Sequence, residues 1–560
     1  MLDSIRTHRH IQGSGAWTAG TILIVLAVLA PLASLGIHAL TGSFDHWRHL
    51  ADSVIFSAAS NTLLLLSGVG LLVACLGTGA AWLVTAYDFP TRRILNWALL
   101  LPLAVPTYII AFAYLDLWHP IGPIQSTLRE LFGIDSPRDF RLPDIRNLPG
   151  AIFLLGFVLY PYVYLSTRLM FLTQAAGMIE AARTLGEKPY GVLTRVALPL
   201  ARPAIAVGLS LALLETLNDI GASEFLGVQT MTVAVYTTWV TRSDLAGAAQ
   251  IALSMLLIVV FLIQLERHAR QRQRYSTVQR MRPMTLTPLK GWFGALAVVL
   301  GWIPVVIGFI LPATYLAFEA FERLDSVGML SAQLIEAAWN TLRVSGAATL
   351  LTLLFGLIVA WSTRRVRESA HRATPTQWIA KGASLGYAVP GTVLAIGLLA
   401  PLLLVDHLIE WLVSLGGFEL GKLVVMGSTA GLIVAYVIRF LAIAVGSIES
   451  GLSRIPPSVE QAARLLGHGP SATLKRIHLP LLRPAIASAA LLVFVDTMKE
   501  LPATLLLRPM NFDTLATWLY AEAARGTYEE GAIAALLIVL VGLIPVILLA
   551  RTQSKPLLSC

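Results

Sequence analysis

The chain has 560 residues, of which 56% are hydrophobic and only 13% charged, and its net charge is +9. A water-soluble domain carries about twice that charged fraction, so the composition excludes a soluble protein and turns much of the surface toward lipid. Two cysteines, Cys75 and Cys560, exclude a disulfide scaffold.

Apolar stretches long enough to cross a bilayer follow one another along the chain. They lie near residues 17–40, 61–86, 94–118, 149–173, 203–218 and 246–265, then near 291–316, 340–361, 378–404, 424–448, 482–497 and 531–550. The expected fold class is therefore all-α: a polytopic transmembrane protein of about twelve spans, six in each half. Arg6 and Arg9 precede the first stretch, which exceeds the apolar core of a signal peptide and reads as a retained span. With the N-terminus placed inside, the inner segments hold 27 of the 41 basic residues and the outer loops hold 21 of the 32 acidic ones. Basic residues favour the cytoplasmic side, so both termini are expected in the cytoplasm. The positive charge is then the sum of a basic inner face and an acidic outer one, and it needs the bilayer but no nucleic-acid partner.

The two halves repeat each other. Ala58-Ala59-Ser60-Asn61-Thr62-Leu63 is echoed by Ala337-Ala338-Trp339-Asn340-Thr341-Leu342, and Gly77 and Trp82 by Gly356 and Trp361, all 279 residues on. Ala104-Val105-Pro106 recurs as Ala388-Val389-Pro390 at an offset of 284, and Glu180 to Pro203 matches Gln461 to Pro484 at 281. An even number of spans per half keeps the copies parallel. The expected division is a first half at 1–265, a basic linker at 266–290 and a second half at 291–560.

Each half carries one short inner loop of the same design, at 174–203 and 449–483. The first reads Glu180-Ala181-Ala182-Arg183-Thr184-Leu185-Gly186, and Leu198-Pro199 and Pro203 follow. The second reads Gln461-Ala462-Ala463-Arg464-Leu465-Leu466-Gly467, preceded by Glu460, and Leu479-Pro480 and Pro484 follow at the same spacing. The alanine-rich stretch forms a helix, and the glycine, which tolerates a left-handed backbone, stops it. A second short amphipathic helix is expected to end at the Leu-Pro step, with Pro203 or Pro484 opening the next span. Small residues on the exposed face let a partner approach closely.

This design resembles the EAA loop of ABC importer permeases, in which a coupling helix inserts into a groove of an ATPase subunit. The resemblance covers both halves and implies the type I permease fold. It also implies a partner of two ATPase copies on the cytoplasmic side, with coupling through Glu180, Ala181, Ala182, Gly186, Pro199, Glu460, Gln461, Ala462, Ala463, Gly467 and Pro480. Gln461 departs from the pattern, having an amide where the first copy has Glu180. The chain offers no nucleotide site of its own. Gly416-Gly417-Phe418-Glu419-Leu420-Gly421-Lys422-Leu423 nears a phosphate loop, but Leu423 replaces the hydroxyl that would bind magnesium, and the stretch falls on the outer side. The permease is thus not expected to be an enzyme and binds no cofactor, ATP and magnesium belonging to the partner.

Ionisable residues at span ends are functional candidates by default. Glu215 and Asp496 are equivalent at offset 281, as are Asp219 and Glu500, with Lys499 beside the latter. Read as lining a translocation path, they would suit a cation, and hard oxygen donors would suit Fe(III); read structurally, they cap helices at the water interface. His46 and His49 read as interfacial residues beside Trp47, and no metal site is assigned. The stretch Asp496-Thr497-Met498-Lys499-Glu500-Leu501-Pro502-Ala503-Thr504, with Leu507-Arg508-Pro509 and Asn511-Phe512-Asp513-Thr514-Leu515, resembles the fused permeases of ferric iron importers. That implies Fe(III) delivered by a periplasmic binding protein to a bacterial inner-membrane permease. Thiamine, polyamine and phosphonate permeases share the architecture, and a secondary transporter of two parallel six-span halves is the more distant alternative.

Overall fold

The structure is a computed structural model that describes residues 2–41, 47–48, 51–172, 176–271, 285–369, 382–383, 385–419 and 423–554. Eleven helices among these residues are long and apolar enough to span a membrane. They are Trp17–Thr41, Ser53–Ala86, Leu148–Met170, Pro189–Asn218, Leu245–Leu265, Trp292–Val327, Ala332–Arg365, Gly391–Ser414, Thr429–Ser453, Ser471–Met498 and Tyr528–Leu548. Two further helices, Arg92–Ala104 and Thr107–Leu117, are apolar enough together but bent by 93°, the form of a broken span or a re-entrant loop.

That bend corrects the unbroken stretch expected at 94–118, and its cause is local. Leu101–Ala104 is a 3-10 turn, Val105 is extended at φ −109° and ψ 119°, and Pro106 precedes the helix that starts at Thr107. A proline drives the residue before it out of the helical region. The second copy repeats the device, with a 3-10 turn at Leu385–Ala388 and Pro390 at the start of Gly391–Ser414. The Ala-Val-Pro motif shared by the halves is thus a duplicated break.

The Leu-Pro steps behave in the opposite way to expectation. Neither ends a helix: Pro189–Asn218 and Ser471–Met498 run through Pro199 and Pro203, and through Pro480 and Pro484. A π turn precedes each step, Val192–Ala197 in the first copy and Leu474–His478 in the second. The amide of Leu198 bonds to the Leu193 carbonyl and that of Leu479 to Leu474, each five residues back. A proline ring inside an α-helix collides with the carbonyl four residues earlier, and the wider π register moves that carbonyl aside. The same pairing occurs at Val306–Ile310 before Leu311-Pro312.

The chain forms two compact units, and they differ from the halves 1–265 and 291–560 expected from the repeat. One comprises Arg48–Thr237, Ser254–Ser331 and Trp518–Cys560. Here Phe56–Ala86 packs along Leu148–Met170, with Leu198–Asn218 against both. Trp292–Val327, the first span of the second repeat, joins this bundle: the Trp302 indole donates to Thr91 Oγ1 (2.9 Å) and the Tyr114 hydroxyl to the Ile307 carbonyl (2.9 Å). The other unit comprises Met1–Trp47, Thr238–Leu253 and Ala332–Thr517. Its core is Ala332–Ser369, Thr429–Ser453 and Leu479–Met498, and the helix Leu2–Thr41 of the first repeat packs on Gly391–Ser414. One close helix approach is alike in both units. A Cβ on Gly77 would stand 2.7 Å from Val163 Cβ, and one on Gly356 would stand 2.7 Å from Ala444 Cβ. Helices in lipid associate through such close packing of small residues, not through a hydrophobic driving force.

Candidate functional site

In each of the two repeated loops the first helix and its glycine stop form as expected. The first is a helix, Ala176–Thr184, ended by Gly186 at φ +85°. The amides of Leu185, Gly186 and Glu187 return to the carbonyls of Ala181, Arg183 and Ala182 at 3.0–3.1 Å. The second is a helix, Pro457–Leu465, ended by Gly467 at φ +78°. There Leu466 and His468 return to Ala462 and Ala463 at 3.1 and 3.0 Å. The bond reaching back five residues from Glu187 and from His468 is a Schellman closure, which needs a left-handed residue and so selects glycine. Pro199 and Pro480 lie in the following spans.

Each loop turns small and apolar residues outward. Ala181, Thr184 and Leu185 are exposed in the first, and Gln461, Ala462, Leu465 and Leu466 in the second. Leu185 is 87% exposed and Leu465 90%, so each loop carries a bare apolar tip.

The inward faces differ. In the first loop Ile179 is fully buried in an apolar cluster with Trp82, Phe171, Val192 and Ala197, and Ala182 packs at its edge. Glu180 faces sideways. Its carboxylate accepts from the Thr285 amide (3.2 Å), and Arg183 donates to the Thr285 carbonyl (2.7 Å). Glu180 and Arg183 thereby clasp the end of the linker, which continues into the parallel pair Tyr87–Asp88 with Thr287–Pro288.

In the second loop the inward residue is Glu460, 3% exposed. Arg364 donates through Nε to Glu460 and through its two terminal nitrogens to the carbonyls of Leu452 and Ile455. His478, fully buried against Trp361, places Nε2 3.1 Å from the same carboxylate. A cavity of about 510 Å³ opens beside this network, lined by Arg364, Glu449, Glu460 and Gln461 among others. Ala463 is buried and Gln461 exposed. The glutamate that precedes the second motif is therefore an internal anchor, and the residue aligned with Glu180 points outward as an amide.

The acidic residues at the span ends also resolve into roles. Asp219 Oδ1 accepts from the amides of Ala222 (2.7 Å) and Ser223 (3.2 Å), capping the short helix Gly221–Phe225, while the Thr107 hydroxyl donates to Oδ2. Glu500 caps Pro502–Leu507 through the amides of Ala503 (3.0 Å) and Thr504 (3.1 Å). Both are buried, not at a water interface. The first copy completes its cap with Thr107. The second has Gly391 at that place, and Arg439 Nη1 approaches Glu500 to 3.4 Å through the space left open. Glu215 is half-buried next to Asp219, and Asp496 is paired with Lys499 at 2.8 Å. His46 and His49 lie outside the described residues, as do 420–422 of the glycine-rich outer stretch.

Sequence reasoning missed Arg364, His478, Thr107 and Arg439. The signal that finds them is a polar residue in one copy at a place the other keeps apolar or small: Arg364 against Thr85, His478 against Ala197, Arg439 against Val158, Thr107 against Gly391.

The chain is thus a helical protein of membrane-spanning type whose two repeats each present a helix–glycine loop with an exposed apolar tip. The comparisons agree. The profile of the binding-protein-dependent transport system inner membrane component matches residues 68–275 and again 353–556, and the chain belongs to that family. It is a multi-pass inner-membrane permease of the ABC importer type, in two fused copies. An Fe(3+)-transport system permease protein of Haemophilus influenzae is 26% identical over 508 residues, 89% of this chain and 90% of that one. A probable ABC transporter permease protein of Sinorhizobium fredii is 25% identical over 94% of this chain and 92% of its own. A putative 2-aminoethylphosphonate transport system permease protein of Salmonella choleraesuis is 30% identical, over 45% of this chain and 90% of its own.

Proposed function

We infer that this chain is the membrane channel of an importer that carries Fe(III) from a periplasmic binding protein into the cytoplasm. The observation that carries the reading is the matched pair of helix–glycine loops with bare leucine tips at the end that the basic residues assign to the cytoplasm. Two copies of an ATPase subunit dock there, one per loop, and bind and hydrolyse ATP with magnesium. The chain supplies no cofactor and no catalytic group. Ala181, Gly186, Ala462 and Gly467 shape the docking surface, while Ala182 and the buried Ala463 back it from inside. Both termini face the cytoplasm.

Closure of the ATPases on ATP displaces each docking helix. Because Pro189–Asn218 and Ser471–Met498 run without a stop from docking loop to outer end, a displacement at the loop reaches the far end of the same rigid helix. The path then opens outward to receive the ion, and hydrolysis resets it.

Iron is favoured by near-full-length similarity to an Fe(3+)-transport permease, where the phosphonate relative matches a stretch of 262 residues. The deciding experiment is reconstitution with the ATPase in vesicles. A ferric binding protein is expected to stimulate ATP hydrolysis. Stimulation by a phosphonate, thiamine or polyamine binder, with none by the ferric one, overturns the iron reading.

A further inference from the structure

Among the described residues no group of three or more His, Cys, Asp and Glu side chains could hold a metal ion. A different set of oxygen donors meets near the outer ends of the spans in the unit that contains Arg48–Thr237. The Tyr520 hydroxyl donates to Glu224 Oε2 and is hydrogen-bonded to the Tyr236 side chain. The Tyr520 ring stacks on Phe225, centroids 5.5 Å apart and planes at 25°. Glu224, Tyr236 and Tyr520 are all half-buried, so the cluster is sheltered yet reachable.

The two tyrosines are the same residue of the repeat. Thr62 accepts from the amide of Met231 at the start of the helix Met231–Val240, and Thr341 accepts from the amide of Leu515 at the start of Leu515–Arg525. Met231 and Leu515 are thus equivalent at an offset of 284, and Tyr236 and Tyr520 lie five residues beyond each. Both repeats deliver an identical side chain to one spot, which is where a single cargo can meet both. Glu224 has no such twin: its equivalent at the 281 offset is Leu505. Glu224 rides on the short helix that Asp219 caps and Thr107 holds, so the buried acid of the span end acts as a strut for the half-buried one.

We propose that Glu224, Tyr236 and Tyr520 form a transfer site for the ferric ion within the outer part of the path. The proposal rests on the iron reading above. Three oxygen donors of which two are phenols suit a hard trivalent cation. On binding, each phenol releases its proton to solvent, and two phenolates with one carboxylate offset the three positive charges of Fe(III). The iron stays ferric, so no reductant enters. A neutral site costs far less to hold among apolar spans than a bare trivalent charge.

The test is titration of the purified full chain in nanodiscs with ferric nitrilotriacetate, watching the visible phenolate-to-iron charge-transfer band. The wild type should develop the band. Tyr236→Phe and Tyr520→Phe should each weaken iron binding by at least about tenfold, since even an outer-shell substitution costs a metal site that much, and the double variant should lose the band. Tyr520→Glu, which keeps an oxygen donor, should retain binding while losing its share of the band. Rescue of this kind separates ligation from mere folding. Absence of the band in the wild type overturns the site, as does a band unchanged in the double variant. Neither result touches the iron reading, which stands or falls on stimulation of ATP hydrolysis by the ferric binding protein.

Discussion

The two loop helices, Ala176–Thr184 and Pro457–Leu465, present similar outward faces and are held from behind by opposite physics. The first is seated by Ile179 in an apolar cluster, with Thr85 and Ala197 at the neighbouring places. The second is seated by Glu460 between Arg364 and His478, which occupy the equivalents of Thr85 and Ala197. An apolar seat gains by burial and loses in proportion to what is removed. An ionic seat gains little over an apolar one while intact, yet fails abruptly when one partner goes, because the other charge is then stranded. Duplication has kept the outward surface and let the anchor diverge, so the copies should respond differently to the same kind of damage.

The largest effect should come from the one feature the copies share. Gly186 and Gly467 sit at φ +85° and +78°, where a proline ring, fixed near −65°, cannot go. Gly186→Pro or Gly467→Pro should abolish ATP-coupled uptake in vesicles while the chain still inserts and purifies. Uptake close to wild type in both would break the docking assignment for both loops at once.

Next in size is the ionic seat. Arg364→Ala takes from Glu460 its permanent positive partner and frees the carbonyls of Leu452 and Ile455. Loss of one member of a buried pair costs about 3–5 kcal/mol, which should appear as a clear drop in thermal unfolding temperature and loss of coupling. The sharper version converts the second seat into the first: Arg364→Thr, Glu460→Ile and His478→Ala together should recover most of that loss, since apolar replacement of a buried ion pair is often neutral or better. Failure of the triple variant to recover would mean that the charges do more than seat the helix. In the first copy, Ile179→Ala should cost about 2–4 kcal/mol, the usual range for emptying a buried aliphatic site, with no single abrupt failure to rescue.

The spans, the duplication and the helix–glycine loops were legible because each is written in local pattern: apolar length, a constant offset, a glycine three residues past Ala-Ala-Arg. The exchange of first spans was not. An apolar face specifies lipid or a helix but not which helix, so nothing in residues 17–40 points to Gly391–Ser414 as their neighbour. Proline misled in both directions. Pro106 broke a stretch read as continuous, and Pro199 and Pro480 ended nothing, because a π turn one residue upstream absorbed the clash. Glu460 looked like a loop charge beside a motif, and only the fold brought Arg364, 96 residues away, to its carboxylate.

The smallest expected effect tests what the first copy's glutamate is for. Glu180 accepts from the Thr285 amide, and a glutamine would keep an acceptor at the same place, as Gln461 does in sequence in the second copy. Glu180→Gln should therefore forfeit the charge assistance to the Thr285 hydrogen bond, under about 1 kcal/mol, and leave uptake within about fivefold, since 1.4 kcal/mol is needed for a factor of ten. Glu180→Ala removes the acceptor itself, frees the end of the linker and should cost more. If the amide variant collapses as far as the alanine one, the negative charge at 180 is being sensed by the docked ATPase and not by Thr285. The two docking helices would then differ at their working surface as well as at their anchors, and Gln461 would mark the weaker coupling arm.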